Sequence, residues 1–304
     1  MKKIILIIAL FSAFQSVWAQ QQTLNSQYMF NRFLINPAVT GNQEYIPIRL
    51  TARQQWIGVE EAPSTQSISA HMLLGNKNMG VGGYIFADRF GPETKVGIQA
   101  SYSYILDINS RKGLKLAFGL AARAFQYKLN YNQLEVMDQD DNLLYQNSES
   151  TFVPDADFGV YLYNKKYFVG LSATQLIGMP VEITHTSIRE NDMVRHYYLL
   201  GGYKFDIADD FQLEPSTIIR ATEVTPFSAD VNLRAIYQSN YWLGVSYRSS
   251  NTIAAMIGAK YKDFVFGYSY DYTLSKMNNH QSGSHEIILG YNFGQKLNKG
   301  SSLL

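Results

Sequence analysis

The chain has 304 residues, with 26 Lys+Arg against 25 Asp+Glu, a net charge of +1 and no cysteine. That balance gives no electrostatic footprint for a nucleic-acid partner, and the lack of Cys excludes disulfides, thiolate metal sites and cysteine nucleophiles. Charged residues make up only 17% and aromatics 14%, where soluble domains carry about a quarter charged residues, so the composition suits an outer surface facing something less polar than water.

Lys2 and Lys3 precede an almost wholly apolar run, Ile4 to Phe14, and Val17-Trp18-Ala19 supplies a V-x-A cleavage site. Residues 1–19 therefore read as a cleaved signal peptide, with the mature chain beginning at Gln20. The alternative, a membrane anchor, needs about 20 apolar residues, more than this run offers. No other segment approaches a transmembrane helix, so any membrane span is built of strands. Residues 20–44 come next and contain "QYMFNRFLINPAVTG", Gln27 to Gly41, in which six large apolar residues fall within Tyr28–Ile35. Tyr28, Phe30, Phe33 and Leu34 cannot share one face of a strand, and Pro37 interrupts a helix.

From about residue 45 the signal is period-two alternation. Between Thr94 and Asp107, Val96, Ile98, Ala100, Tyr102, Tyr104 and Leu106 point one way; Lys95, Gly97, Gln99, Ser101, Ser103 and Asp107 point the other, with Ile105 the exception. Such runs fall near 45–56, 65–74, 79–88, 94–107, 113–127, 154–163, 166–174, 195–206, 211–219, 227–238, 241–248, 252–259, 263–271 and 284–293. Most have the length of a tilted bilayer-crossing strand, about 9–11 residues. Connections after even-numbered runs are short, such as Asn164-Lys165 and Ser239-Asn240, whereas those after odd-numbered runs vary and include Lys128–Val153, Gln175–Val194 and Tyr272–Gly283. Sorting by parity predicts an all-β, transmembrane, up-and-down antiparallel β-barrel of about 14 strands over 45–293, with short periplasmic turns and long outer loops. It places residues 20–44 on the periplasmic side, as a plug or a docking segment. A polar tail, 294–304, follows.

On this alternation Arg49, Arg53, Arg123, Arg234, Arg248, Asp88, Asp107, Asp230 and Glu286 fall on the polar face, which predicts a lumen crossed by paired charges. A soluble secreted barrel would turn its apolar face inward, but fourteen strands enclose more room than side chains fill. In the last run Ile287, Leu289, Tyr291 and Phe293 alternate with Glu286, Ile288, Gly290 and Asn292; a closing amphipathic strand of this kind resembles the signal that outer-membrane assembly machinery reads.

The search for chemistry finds little. The five His, at 71, 185, 196, 280 and 285, show no metal-ligand spacing, and neither G-x-S-x-G nor G-x-x-x-x-G-K occurs. Asp138, Asp140, Asn142 and Glu149 place oxygens at positions 1, 3, 5 and 12 of a calcium loop, but Leu143 stands where the turn needs Gly, so a solvated acidic loop competes. Gly80-Val81-Gly82-Gly83 reads as relief of crowding or a bulge. An outer-membrane hydrolase would need a Ser/His or carboxylate pair that no residues nominate; no cofactor or metal is expected.

The pattern S-Q-Y-M-F-N-x-x-x-x-N-P-A-x-x-G, met at Ser26, Gln27, Tyr28, Met29, Phe30, Asn31, Asn36, Pro37, Ala38 and Gly41, resembles the PorP/SprF family of the Bacteroidetes type IX secretion system, with Thr40 where members more often have Ala. "LEPSTIIR", Leu213 to Arg220, looks like a second family segment. The resemblance implies a non-enzymatic component of the Gram-negative outer membrane, needed for secretion or surface retention of proteins such as adhesins, including those of gliding species. It implies as partners periplasmic ring lipoproteins and the C-terminal domains of secreted substrates, besides outer-membrane lipids. Under it the motif residues, with Phe33, plug the barrel or dock on the periplasmic machine. The competing function is a passive channel or apolar-solute transporter.

Overall fold

The computed structural model describes residues 25–75, 78–133, 148–179, 193–224 and 227–295. The expected leader, residues 20–24, the calcium-loop candidate up to residue 147 and the tail from 296 onward lie outside them.

Alternating sequence becomes strand throughout: β1 Ile46–Gln54, β2 Ser64–Leu73, β3 Met79–Phe90, β4 Glu93–Asn109, β5 Leu114–Leu129, β6 Glu149–Tyr163, β7 Tyr167–Thr174, β8 His196–Tyr203, β9 Phe205–Ala208, β10 Phe211–Thr222, β11 Ser228–Tyr237, β12 Tyr241–Arg248, β13 Thr252–Tyr261, β14 Phe264–Thr273 and β15 Ser284–Phe293. Strands β8 and β9 flank Lys204 and both pair with β10, so the run expected at 195–206 is one stave broken at a single residue. Fourteen antiparallel staves result, and pairing of β1 with β15, Ile46 opposite Phe293 through Gln54 opposite His285, closes them into a barrel without a free edge.

The two faces are inverted relative to a soluble barrel. Val96, Ile98, Tyr102, Tyr104 and Leu106 of β4 are exposed on the outside, while Gln99, Ser101 and Ser103 are buried within. Ile105, out of step in the sequence, is also buried inside and packs with the apolar cluster that holds Ala38 and Val39. The same alternation puts Leu243, Val245 and Tyr247 of β12 outside and Ser246 and Arg248 inside. This apolar-out, polar-in pattern is the signature of a barrel solvated by lipid. Near the short-turn end the outer surface carries aromatic pairs: Tyr167–Tyr203 with centroids 6.4 Å apart, Tyr203–Phe205 at 4.5 Å, Phe211–Tyr237 at 5.6 Å and Phe264–Tyr291 at 5.0 Å. Amphipathic rings collect where hydrocarbon meets headgroups.

Most staves have 8–12 residues, but β4, β5 and β6 have 17, 16 and 15. On β5 the outward residues run apolar through Ala124 and then turn polar at Gln126 and Lys128, which marks where the wall leaves the hydrocarbon. The sequence reading stops β5 at 127 and opens β6 at 154; in the sheet Pro154 pairs with Ala124 and the strand continues out to Glu149.

Candidate functional site in the barrel lumen

The core of the molecule is built from the segment between Asn25 and Gly41, which lies inside the barrel. Its backbone makes three 3-10 turns, Tyr28–Phe30, Arg32–Leu34 and Pro37–Val39. Such turns show side chains in every direction, which suits a sequence whose apolar residues have no single face. Pro37 opens the third turn, where its missing N–H costs nothing, and the Asn36 side chain caps that turn by accepting from Ala38 N at 2.9 Å. Tyr28, Met29, Phe33, Ala38 and Val39 are buried against Tyr84, Ile105, Ala117, Tyr161, Phe168, Leu200, Ile218 and Met256 of the wall.

Polar bonds join the segment to strands around the whole circumference. Asn36 Nδ2 donates to the carbonyls of Val160 at 3.1 Å and Leu171 at 3.0 Å; Ser172 Oγ donates to Ile35 O at 2.8 Å. Asn31 Nδ2 donates to Ser69 Oγ at 2.9 Å, Asn232 Nδ2 to the Tyr28 hydroxyl at 2.7 Å, and Ser103 Oγ to Thr40 O at 2.6 Å. Gly41 N donates to His71 Nδ1 at 3.1 Å, near the short-turn end of β2. At the other end Ser26 N and Gln27 N donate to the Glu286 carboxylate at 2.7 and 3.0 Å, two residues from the long-loop end of β15. The segment thus runs through the lumen from the long-loop end, at Ser26, to the short-turn end, at Gly41, where it enters β1. Burial pushes the Tyr28 phenol up to about 12.

Inward glycines make room for it. A Cβ on Gly119 would lie 2.2 Å from Ala38 N, one on Gly159 2.0 Å from Asn36 Oδ1, one on Gly80 2.3 Å from Thr40 O, and one on Gly267 2.5 Å from Gln27 Oε1. Gly80 relieves crowding both with this segment and with its neighbour in the sheet, Ser103, whose Oγ would lie 2.7 Å from that Cβ. A Cβ on Gly41, which is at φ +71°, would lie 2.6 Å from Gly80 Cα, a close approach only glycine permits.

Two buried charge clusters join segment and wall, and a third lies within the wall. In the first, Arg53 reaches Asp271 at 2.7 Å and Glu286 at 3.1 Å, Arg248 and Arg220 share Asp230 at 3.1 and 2.7 Å, and Ser26 Oγ donates to Asp271 while accepting from Arg53. In the second, Glu214 takes Arg234 at 2.8 Å and Arg32 of the segment at 3.4 Å; the Arg234 guanidinium lies over Phe30 and that of Arg32 over Phe168, 4.5 and 3.7 Å from the ring centres. In the third, Arg123 meets Asp157 at 2.8 Å, beside Gln99 and the Tyr84 hydroxyl.

Of the charges named from sequence, Arg53, Arg123, Asp230, Arg234, Arg248 and Glu286 lie in these clusters. Arg49 is buried on the inward face of β1 and donates to the Ile48 carbonyl at 3.0 Å, in none of the ion pairs among the described residues. Asp88 is half-buried at the long-loop rim, accepting from Thr65, and Asp107 is exposed at a short turn, bonded to Ser110; neither crosses the lumen, because each sits where its strand has run past the filled core. Sequence reasoning missed Arg32, Asp157, Glu214 and Arg220. Glu214 and Arg220 were visible in "LEPSTIIR", where even positions 214, 216, 218 and 220 face inward. Arg32 carried no signal, because nothing local shows that the segment is enclosed. Among the described residues no group of acidic and His side chains is placed to hold a metal.

The fold is similar to solved outer-membrane barrels: a Pseudomonas aeruginosa FadL homologue (8% identity, 85% of this chain and 93% of that one, TM-score 0.50), a mutant of the TodX monoaromatic hydrocarbon channel (9%, 87% and 94%, 0.50) and the CymD monoaromatic hydrocarbon channel (12%, 90% and 94%, 0.50). At such identities the likeness is one of fold. No curated protein matches the chain. A family model described as type IX secretion system membrane protein PorP/SprF matches residues 17–291, so the motif-bearing segment and the barrel around it are one family unit: the chain belongs to the PorP/SprF family of type IX secretion system membrane proteins.

Proposed function

We propose that the chain is a non-enzymatic outer-membrane component of the type IX secretion machine, a barrel sealed by its own N-terminal segment that serves the export or surface retention of partner proteins, adhesins of gliding species among them. The observation that carries this reading is the occupied lumen: Ser26 to Gly41 fill it with buried apolar side chains and bond to strands on every side. A passive pore needs a continuous wet path, and this interior is packed and charge-paired instead. The apolar outside contacts lipid, the short turns face ring lipoproteins in the periplasm, and the outer loops meet the C-terminal domains of secreted substrates.

A strain lacking the gene, assayed in parallel for surface proteins of the type IX pathway and for small-solute uptake, tests it. Export is expected to fail while uptake is unchanged. Normal export with impaired uptake of an apolar solute would hand the function to the channel reading.

A further inference from the structure

A hollow of about 530 Å³ lies on the lipid-facing side of the wall, across β3 to β6 near their long-loop ends. Ile85, Val96, Ile98, Ala124, Gln126 and Phe152 line it, apolar but for the one amide. Val96 stands opposite Gln126 and Gln126 opposite Phe152, while Ile98 stands opposite both Ile85 and Ala124, so the hollow spans two rows of outward side chains. In the next outward row, two residues further toward the loops, Arg89 stands opposite Thr94, Thr94 opposite Lys128 and Lys128 opposite Ser150. Arg89 and Lys128 are exposed and two staves apart, about 10 Å at the usual strand spacing. Neither enters an ion pair among the described residues. No outward residue in these rows of β3 to β6 is a carboxylate. The strand-end acids Glu93 and Glu149 have inward parity and are engaged there, by Lys95 at 3.7 Å and by the Tyr131 hydroxyl at 2.9 Å.

Pockets for whole small molecules run roughly 300–1,000 Å³, and the lining of this one matches a hydrocarbon chain. Lipid covers every outward apolar residue of such a wall; this patch differs in being concave and in carrying two free cations along its loop-side edge. Those cations call for negative charge at two points as far apart as they are. A phospholipid with a single phosphate meets one of them, whereas a diphosphorylated glycolipid meets both. We propose that the patch binds the phosphorylated glycolipid of the outer leaflet, the lipid A class, with an acyl chain in the hollow and a phosphate on each of Arg89 and Lys128. Charge-assisted bonds to phosphate are strong polar contacts, and basic clusters beside an apolar wall suit lipid headgroups. Bound there, the lipid braces β4, β5 and β6, the longest staves, where they leave the hydrocarbon. From the reading above the inference takes only the outward side of the long loops.

The test uses the full-length protein in detergent micelles with diphosphoryl lipid A, monophosphoryl lipid A, cardiolipin and phosphatidylglycerol as probes, and native mass spectrometry to count the lipid retained on the folded barrel. A single diphosphoryl lipid A is expected per barrel, held about tenfold more tightly than the monophosphoryl form or phosphatidylglycerol. Arg89→Gln with Lys128→Gln should erase that preference, and Ala124→Trp, which fills the hollow, should weaken retention of every probe. Arg111→Gln with Lys112→Gln, the same loss of charge among exposed residues of the opposite rim, should change nothing. Each variant is first shown to run as a folded, heat-modifiable barrel. Equal retention of all the anionic lipids, an unchanged preference in the Arg89/Lys128 variant, or no retention at all overturns the proposal. So does a tighter hold on cardiolipin, which would assign the patch to a phospholipid. Protein extracted from its own membrane should carry the glycolipid; retention in micelles with none in that extract would put the long loops on the other side and overturns the proposal as well. A deletion strain that exports normally removes the secretion reading and leaves this site standing.

Discussion

At the scale of single residues the plug is held by absence as much as by contact. Gly119 lets the Ala38 backbone lie against β5, with a would-be Cβ 2.2 Å from Ala38 N. Both neighbours are main chain, so Gly119→Ala forces the plug to shift and should cost about 1–3 kcal/mol, seen as a lower temperature for loss of the compact heat-modifiable band. Gly75→Ala, whose added Cβ meets nothing within 4 Å, should leave that temperature unchanged. Tyr28 predicts a pH effect. Its folded pKa, about 12, lies above the value near 10 of an unfolded chain. The neutral phenol is what the fold holds, so its contribution is complete below pH 10 and is lost as pH rises toward 12. Tyr28→Phe should flatten the fall in stability between pH 10 and 12 without abolishing it, since other tyrosines are also buried; an unchanged slope would show that Tyr28 ionises in the fold as readily as in the unfolded chain.

At the scale of elements the strands were legible face by face, while residues 20–44 could be read only as a plug or a docking segment, with none of their contacts. A strand facing lipid on one side and a polar lumen on the other writes a period of two into its own sequence, and β4, β12 and β15 could be read face by face. Ile105 broke the pattern because it meets the plug rather than water. The plug's contacts are of another kind: Ser26 bonds Glu286 across 260 positions and Asn36 bonds Val160 across 124, separations with no local signature. The motif marked the segment as special, and Pro37 and the scattered aromatics excluded strand and helix, but only closure of β1 on β15 shows what the segment is enclosed by. For the same reason Arg32 went unnamed while its partners' strand, β10, was already singled out. The charge clusters give an element-level prediction. Arg53 is 4% exposed and bonds two carboxylates that are themselves buried, so Arg53→Met strands both and should destabilise the barrel by about 3–5 kcal/mol. Adding Glu286→Gln to that variant should recover part of the loss; a double variant no better than the single would mean the pair does not act through its charge.

At the scale of the molecule, the fold follows from one constraint, that backbone polar groups in hydrocarbon must be paired within a closed sheet. Fourteen staves satisfy it but leave an interior too wide for wall side chains to fill, and the segment between Asn25 and Gly41 supplies the missing core. A barrel built this way is a scaffold with its pore closed, which leaves its rims and loops to meet partners. The central claim is therefore that the plug seals the lumen, and planar-bilayer conductance measures it directly. Wild-type protein should show no steady current, while a variant with Gln27–Gly41 replaced by a Gly/Ser linker should conduct steadily. A steady, solute-dependent current through the wild-type barrel would contradict the account.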